Sequence, residues 1–299
     1  MTRLTWSKLT DRQREVLRRL LGLVHDAASN AASYESRRSP SWLMEQDCNQ
    51  VAFINGKFAT GKTDLVLSLA RLLSGGKSVD HFFGAEQELC ASHRSIASQL
   101  IGRAIVVEPL YMESLPSGTP LLTAILSRVR QGVISQCCES RCRSELFRFD
   151  QMMERIARSL DSNLDQRREH LDREQYGQNV IEQEHDRCEL RSHLADALWN
   201  LSQQVVPSHP ASSQSSQPLL FVVPIEDVHL NPSRCVDLFR VLRNYATPNL
   251  FYVSTGDLSV VRMIFQMHAA SEYGMTADPS SIGRDNVLRF IPDYQCINL

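Results

Sequence analysis

The sequence contains no run approaching eighteen apolar residues, so no helix is expected to span a membrane. Its opening stretch, MTRLTWSKLTDRQREVLRRL, carries charges every few residues and lacks the apolar h-region of a secretory leader. Charge of neither sign dominates: 32 Lys and Arg stand against 34 Asp and Glu, a formal net charge of -2. Bulk electrostatics therefore gives no indication of a nucleic-acid partner. Aromatic and basic residues do not interleave as they do in a single-strand groove. The eight cysteines form no even framework, and free thiols in a reducing cytoplasm are expected. Cys137, Cys138 and Cys142 lack the spacing of paired C-x-x-C knuckles and read as helix-borne thiols, not metal ligands. No internal repeat is found.

What is present is ordinary globular material: 299 residues, 42% hydrophobic and 22% charged, enough for one large domain or two small ones. Val16, Leu17, Leu20, Leu21, Val24 and Ala27 recur at helical spacing, with Thr10 or Asp11 available as a cap, which predicts an amphipathic helix over 10–29. A short apolar strand at Val51–Asn55 runs into Gly56, and a helix is expected over Lys62–Leu73. Residues 75–100 carry turn signals without firm periodicity. A second strand is expected at Ala104–Val107, and Pro120 favours the first turn of the helix that follows.

From Ser144 to Val205 the chain is highly charged, with apolar residues at helical intervals. The alternating charges of DQRREHLDREQ suit a solvent-facing helix surface or a partner-binding arm. Residues 207–218, PSHPASSQSSQP, read as a flexible linker. Further strands are expected at Leu219–Val223 and Leu250–Thr255, with a fifth near VLRF at residue 288. The expected organisation is an N-terminal helical segment and connector over 1–47, then a core over 48–299. That core carries a helical insertion at about 134–206 and the linker at 207–218. Strands alternating with helices favour a mostly parallel sheet covered on both faces.

Gly56, Gly61, Lys62 and Thr63 match G-x-x-x-x-G-K-[ST] between a strand and a helix. In such a loop, backbone N–H groups turn inward as a nest, and the helix N-terminus adds partial positive charge. Gly56, Lys57, Phe58, Ala59, Thr60, Gly61, Lys62, Thr63 and Asp64 are thus the candidate nucleotide-binding residues. Lys62 would reach the β and γ phosphates and Thr63 would ligate Mg²⁺.

Hydrolysis also needs an acid near the metal and a group to orient water. LLFVVPIEDVHL supplies an apolar strand running into Glu226 and Asp227, at the sheet edge where open α/β folds bind ligands. Glu226 is favoured near the metal, through water, and Asp227 toward the attacking water, with the reverse assignment open. Pro224 cannot donate to a ladder, so regular pairing is expected to end near Val223.

Taken together, GKFATGKT, the strand at 104–107, LLFVVPIEDVHL and LFYVSTGD resemble the additional-strand P-loop ATPases, the group of AAA+, STAND and KAP families. The resemblance covers about a third of the chain. It implies a three-layer α-β-α core with sheet order 5-1-4-3-2, Mg²⁺ and ATP as ligands, and a polar sensor at Thr255 or the neighbouring Ser254. It also implies ATP over GTP, and no N-K-x-D follows the fourth strand. The chain departs from the group in its Glu-Asp order, its long insertion and the lack of a clear helical lid. It has no assignable arginine finger, Arg262 and Arg284 being the candidates. The expected function is a cytoplasmic ATPase that couples nucleotide state to conformation or assembly, acting as a homo-oligomer or with a partner protein. Relatives of this style serve bacterial signalling or defence. The alternatives are a nucleotide-binding interaction module with weak hydrolysis and, third, a small-molecule kinase.

Overall fold

The computed structural model describes residues 5–33, 50–73, 76–84, 91–116, 118–136, 139–159, 189–203, 218–273, 291 and 295–299. Helix α1 spans Asp11–Ser33 and buries all six of the apolar positions expected from its periodicity. Its start is a reciprocal cap: Gln13 N–H donates to Thr10 Oγ1 at 3.2 Å, and Thr10 N–H donates to Gln13 Oε1 at 3.0 Å. Strand β1 (Val51–Asn55) leads through a loop into α2 (Lys62–Leu73), with the bounds expected from sequence. Two helices then occupy the stretch without clear periodicity, α3 (Gly76–Phe83) and α4 (Ala91–Leu100). Only Ala97 and Leu100 are buried along α4, which leaves too narrow an apolar stripe to register as a pattern.

Next come β2 (Ala104–Val106), β3 (Leu110–Tyr111), α5 (Leu121–Gln136), α6 (Glu139–Ser159) and α7 (189–203). The chain closes with β4 (Leu220–Glu226), α8 (Pro232–Asn244), β5 (Leu250–Gly256), α9 (Leu258–Tyr273) and β6 (Cys296–Asn298). The VLRF stretch and the 207–217 part of the linker lie outside the described residues.

The described strands form one parallel sheet in the order β2-β4-β5-β1-β6, with β3 beside β4. This differs from the order written from the resemblance. The sheet has six strands where five were expected, because the chain after β2 pairs again with β4. The cause is visible in the ladder. Leu220 N–H donates to Arg103 O and Val107 N–H donates to Val222 O, so even-numbered residues of β4 face that edge. Pro224 falls on the same side and has no N–H to offer. Pairing lapses there and resumes as Leu110↔Ile225 and Tyr111↔Glu226. The expected end of pairing near Val223 is corrected as well. Pro224 and Ile225 stay in register with Val253 and Ser254 on the β5 side, where proline's missing donor is not needed.

Alternation along the strands sorts the core into two layers. Phe53, Ile105, Phe221, Val223, Ile225 and Tyr252 join a cluster with residues of α5, α6, α7, α8 and α9. Ala52, Ile54, Leu220, Val222, Phe251 and Val253 join the opposite cluster with α1, α2, α3 and α4. The arrangement is α/β with helices on both faces. Helices of the charged insertion belong to it: Leu146, Phe149, Met152 and Ile156 of α6 and Leu190, Leu194, Leu198 and Leu201 of α7 are buried in the first cluster. Among the described residues of the insertion the inner helix faces are core, and one charged residue, Glu145, is buried with them. No described helix is long and apolar enough to cross a membrane.

Candidate functional site

The loop after β1 is built around left-handed backbone at Ala59 (φ 60°) and Gly61 (φ 85°). Alternating handedness of this kind turns successive N–H groups toward one concavity. Space at Gly61 is also tight. A Cβ there would lie 2.3 Å from Gln13 Nε2, so the start of α1 packs directly over the loop. Phe58 stands at the loop tip, 82% exposed. Lys57 is exposed beside it, Thr60 Oγ1 donates to Lys57 O at 2.9 Å, and Asp64 lies exposed in the first turn of α2.

Lys62 is buried, and its ammonium donates to Gly56 O at 3.0 Å and Lys57 O at 2.8 Å. It thus closes on the carbonyls at the loop's entry. Its Nζ is also 3.8 Å from Asp227 Oδ1.

The opposite wall comes from the ends of β4 and β5. Glu226 is almost wholly buried, at 2% exposure, and its Oε2 accepts from Thr63 Oγ1 at 2.8 Å and from Thr255 Oγ1 at 3.4 Å. Its Oε1 is buried and has no hydrogen-bond partner among the described residues. Burial pushes the Glu226 carboxyl above the usual carboxylate range, and the neighbouring Asp227 charge pushes the same way. The Thr63 and Thr255 hydroxyls and Lys62 oppose this. Asp227 takes a left-handed backbone (φ 49°), and its N–H donates to Thr255 Oγ1 at 3.0 Å. That turn swings its side chain away from the strand's alternation and toward Lys62.

Of the two sensor candidates, Thr255 therefore touches both acids, whereas Ser254 Oγ is buried without a partner among the described residues. Two carboxylates, two hydroxyls and one ammonium gather at the carboxyl ends of β1, β4 and β5. A buried oxygen with nothing to bind, next to a threonine hydroxyl, is the donor chemistry that a hard divalent cation such as Mg²⁺ takes. The same residues, Thr63 and Glu226, were expected as its protein-side partners. Among the finger candidates, Arg262 lies on α9 with its Nε buried and without a partner among the described residues, and Arg284 is outside them.

Four residues at this site escaped the sequence reading. Gln13 covers Gly61 from 48 positions away in the chain; its T-x-x-Q spacing marks a cap for α1, but nothing local marks the approach to Gly61. Asn55 ends β1. Its Nδ2 donates to Asn298 Oδ1 at 2.7 Å and its Oδ1 accepts from Leu258 N–H at 2.9 Å, tying the loop's base to β6 and α9. Asp257 caps α9 by accepting from Ser259 N–H at 2.9 Å, a role that the D-x-S spacing announces. His229 accepts from Asp257 N–H at 3.3 Å through Nδ1. Its position two residues past the acidic pair is the only sequence signal for it.

Set against known proteins, the chain matches no family model and no curated protein.

Proposed function

We propose that the chain binds a Mg²⁺-nucleoside triphosphate, ATP in particular, at Gly56–Thr63 and hydrolyses it, converting nucleotide state into a conformational or assembly change. The observation that carries this reading is the 2.8 Å hydrogen bond from Thr63 to Glu226. It joins the end of the phosphate loop to the end of β4 across 163 positions, beside a buried lysine and a second acid. The core is then that of an additional-strand P-loop ATPase.

In this reading Lys62 leaves the carbonyls of Gly56 and Lys57 for the β and γ phosphates, and the loop's N–H groups hold the remaining oxygens. Thr63 and Glu226 would hold Mg²⁺, Glu226 through water, and the metal would supply charge neutralisation on the phosphates. Asp227 orients the attacking water and Thr255 senses the terminal phosphoryl group. An arginine from a neighbouring copy or partner protein, Arg284 being the first candidate, completes the charge balance. The setting is cytoplasmic, in signalling or defence. A second reading is a nucleotide-binding module with slow turnover. It is favoured by Asp227, whose carboxylate is a methylene shorter than the usual base and is already paired with Lys62.

Calorimetry with ATP and Mg²⁺ tests the binding. Lys62→Ala removes charge-assisted contacts worth about 1.5–3 kcal/mol and weakens binding at least ten-fold. Equal affinity in both proteins refutes the assignment. Single-turnover cleavage separates the two readings. Asp227→Asn should keep ATP and lose most hydrolysis if the chain is an ATPase, and change little if turnover is vestigial.

A further inference from the structure

His229 has no role in the reading above. It lies in the short turn Val228–Leu230 that follows Asp227, closed by Leu230 N–H donating to Asp227 O at 2.9 Å. Val228 is buried and anchors the turn, while the His229 ring is partly exposed. The ring rests on the end of β5. A Cβ on Gly256 would meet Val228 Cγ2 at 3.1 Å and His229 Nδ1 at 3.3 Å, so a side chain there would push the turn away. Gly256 O in turn accepts from Gly56 N–H at 3.0 Å, which leaves the ring one residue from the start of the phosphate loop. In the sheet β5 lies between β1 and β4, so its end faces the gap between loop and acidic pair. A group standing on Gly256 stands at that gap.

The chemistry of the ring follows from its one bond. Nδ1 accepts from the Asp257 N–H, so its lone pair is used and the neutral ring carries its proton on Nε2. Among the described residues Nε2–H has no partner. The site thus holds an oriented donor without a partner among the described residues, at the edge where a phosphoryl chain would end.

We infer that His229 Nε2–H donates to an oxygen of the terminal phosphoryl group and so distinguishes nucleoside triphosphate from diphosphate. This rests on the nucleotide reading above. A group that reads only the terminal phosphate leaves diphosphate affinity alone, which a residue that merely supports the fold would not do.

The test measures affinities for ADP and for a non-hydrolysable ATP analogue with Mg²⁺ in the parent, His229→Ala and His229→Gln. His229→Ala should lower the triphosphate-to-diphosphate affinity ratio about ten-fold, the loss of one hydrogen bond to a charged group. ADP affinity should hold, and the glutamine amide should restore part of the ratio. In the unaltered protein with ¹⁵N-labelled histidine, the His229 Nε2 resonance should move with the triphosphate analogue and stay with ADP. That measurement decides the matter if the alanine variant does not fold. A parent that binds neither nucleotide overturns the nucleotide reading and this inference together. Lysine-dependent binding with an unchanged ratio and an unmoved resonance overturns the role of His229 alone.

Discussion

Replacing Gly61 with alanine tests whether α1 and the Gly56–Thr63 loop are mechanically one unit. Two costs arise. The backbone at φ 85° is a left-handed conformation that a Cβ penalises by about 1–2 kcal/mol. The new Cβ would also lie 2.3 Å from Gln13 Nε2. A free glutamine would swing aside at little cost, but Gln13 is held by its bond from Thr10 N–H and would lose it. Losing this half of the α1 cap costs about 1 kcal/mol. Gly61→Ala should therefore destabilise the protein by about 2–3 kcal/mol in urea unfolding. Gln13→Ala alone costs about 1 kcal/mol, since it removes the same cap bond. In the double variant the cap bond is already gone, so Gln13→Ala should add almost nothing to Gly61→Ala. The expected coupling is about 1 kcal/mol. Strictly additive effects would show that Gln13 does not hold the loop, and the contact between α1 and the nest would have to be abandoned.

Two further outcomes concern ionisation and capping. Glu226→Gln should stabilise the nucleotide-free protein by about 1 kcal/mol at neutral pH, because it replaces a buried charge with an unpaired oxygen by a neutral group that still accepts from Thr63. The raised carboxyl means that the folded state binds the proton more tightly than the unfolded one, so parental stability falls as pH rises through the range between the two values. The variant's advantage in melting temperature should vanish at pH below the ordinary glutamate range, and an advantage that persists in acid would contradict the ionisation account. Asp257→Ala removes the α9 cap and should cost about 1 kcal/mol at pH 7. Hydrogen bonding from Ser259 holds this carboxyl below its usual range, so the cost should fade as pH drops through the folded-state value; a pH-independent loss in chemical denaturation would point to a different cause.

Features carried by neighbouring residues were legible in the sequence. The 3.6-residue period of α1, the strand–loop–helix unit at 51–73 and the apolar run into Glu226 each rest on residues within a few positions of one another; the unit at 51–73 has the expected bounds, while α1 runs on to Ser33 and β4 to Glu226. The residues of the candidate site were legible for the same reason: a G-x-x-x-x-G-K-T loop and an acid pair at a strand end are short patterns. Helices α3, α4 and α9 were not legible. In α4 the buried stripe is only two residues wide, and α9 is apolar over much of its surface, with Met263 and Met267 exposed, so neither shows a clean period.

Only the tertiary structure decided which distant groups meet. The bond from Thr63 to Glu226 spans 163 positions, and that from Leu258 N–H to Asn55 spans 203. No spacing rule covers such separations, because the sheet's lateral order sets them. Placing β5 between β1 and β4 is what brings Thr255, not Ser254, to both acids and seats His229 on Gly256. Pro224 shows the division most plainly. Its missing donor was readable from the residue alone, and it did break a ladder. Whether that break ended β4 or only split its neighbour into β2 and β3 depended on which edge the proline nitrogen faces, and the parity of the register settles that once the strands have paired.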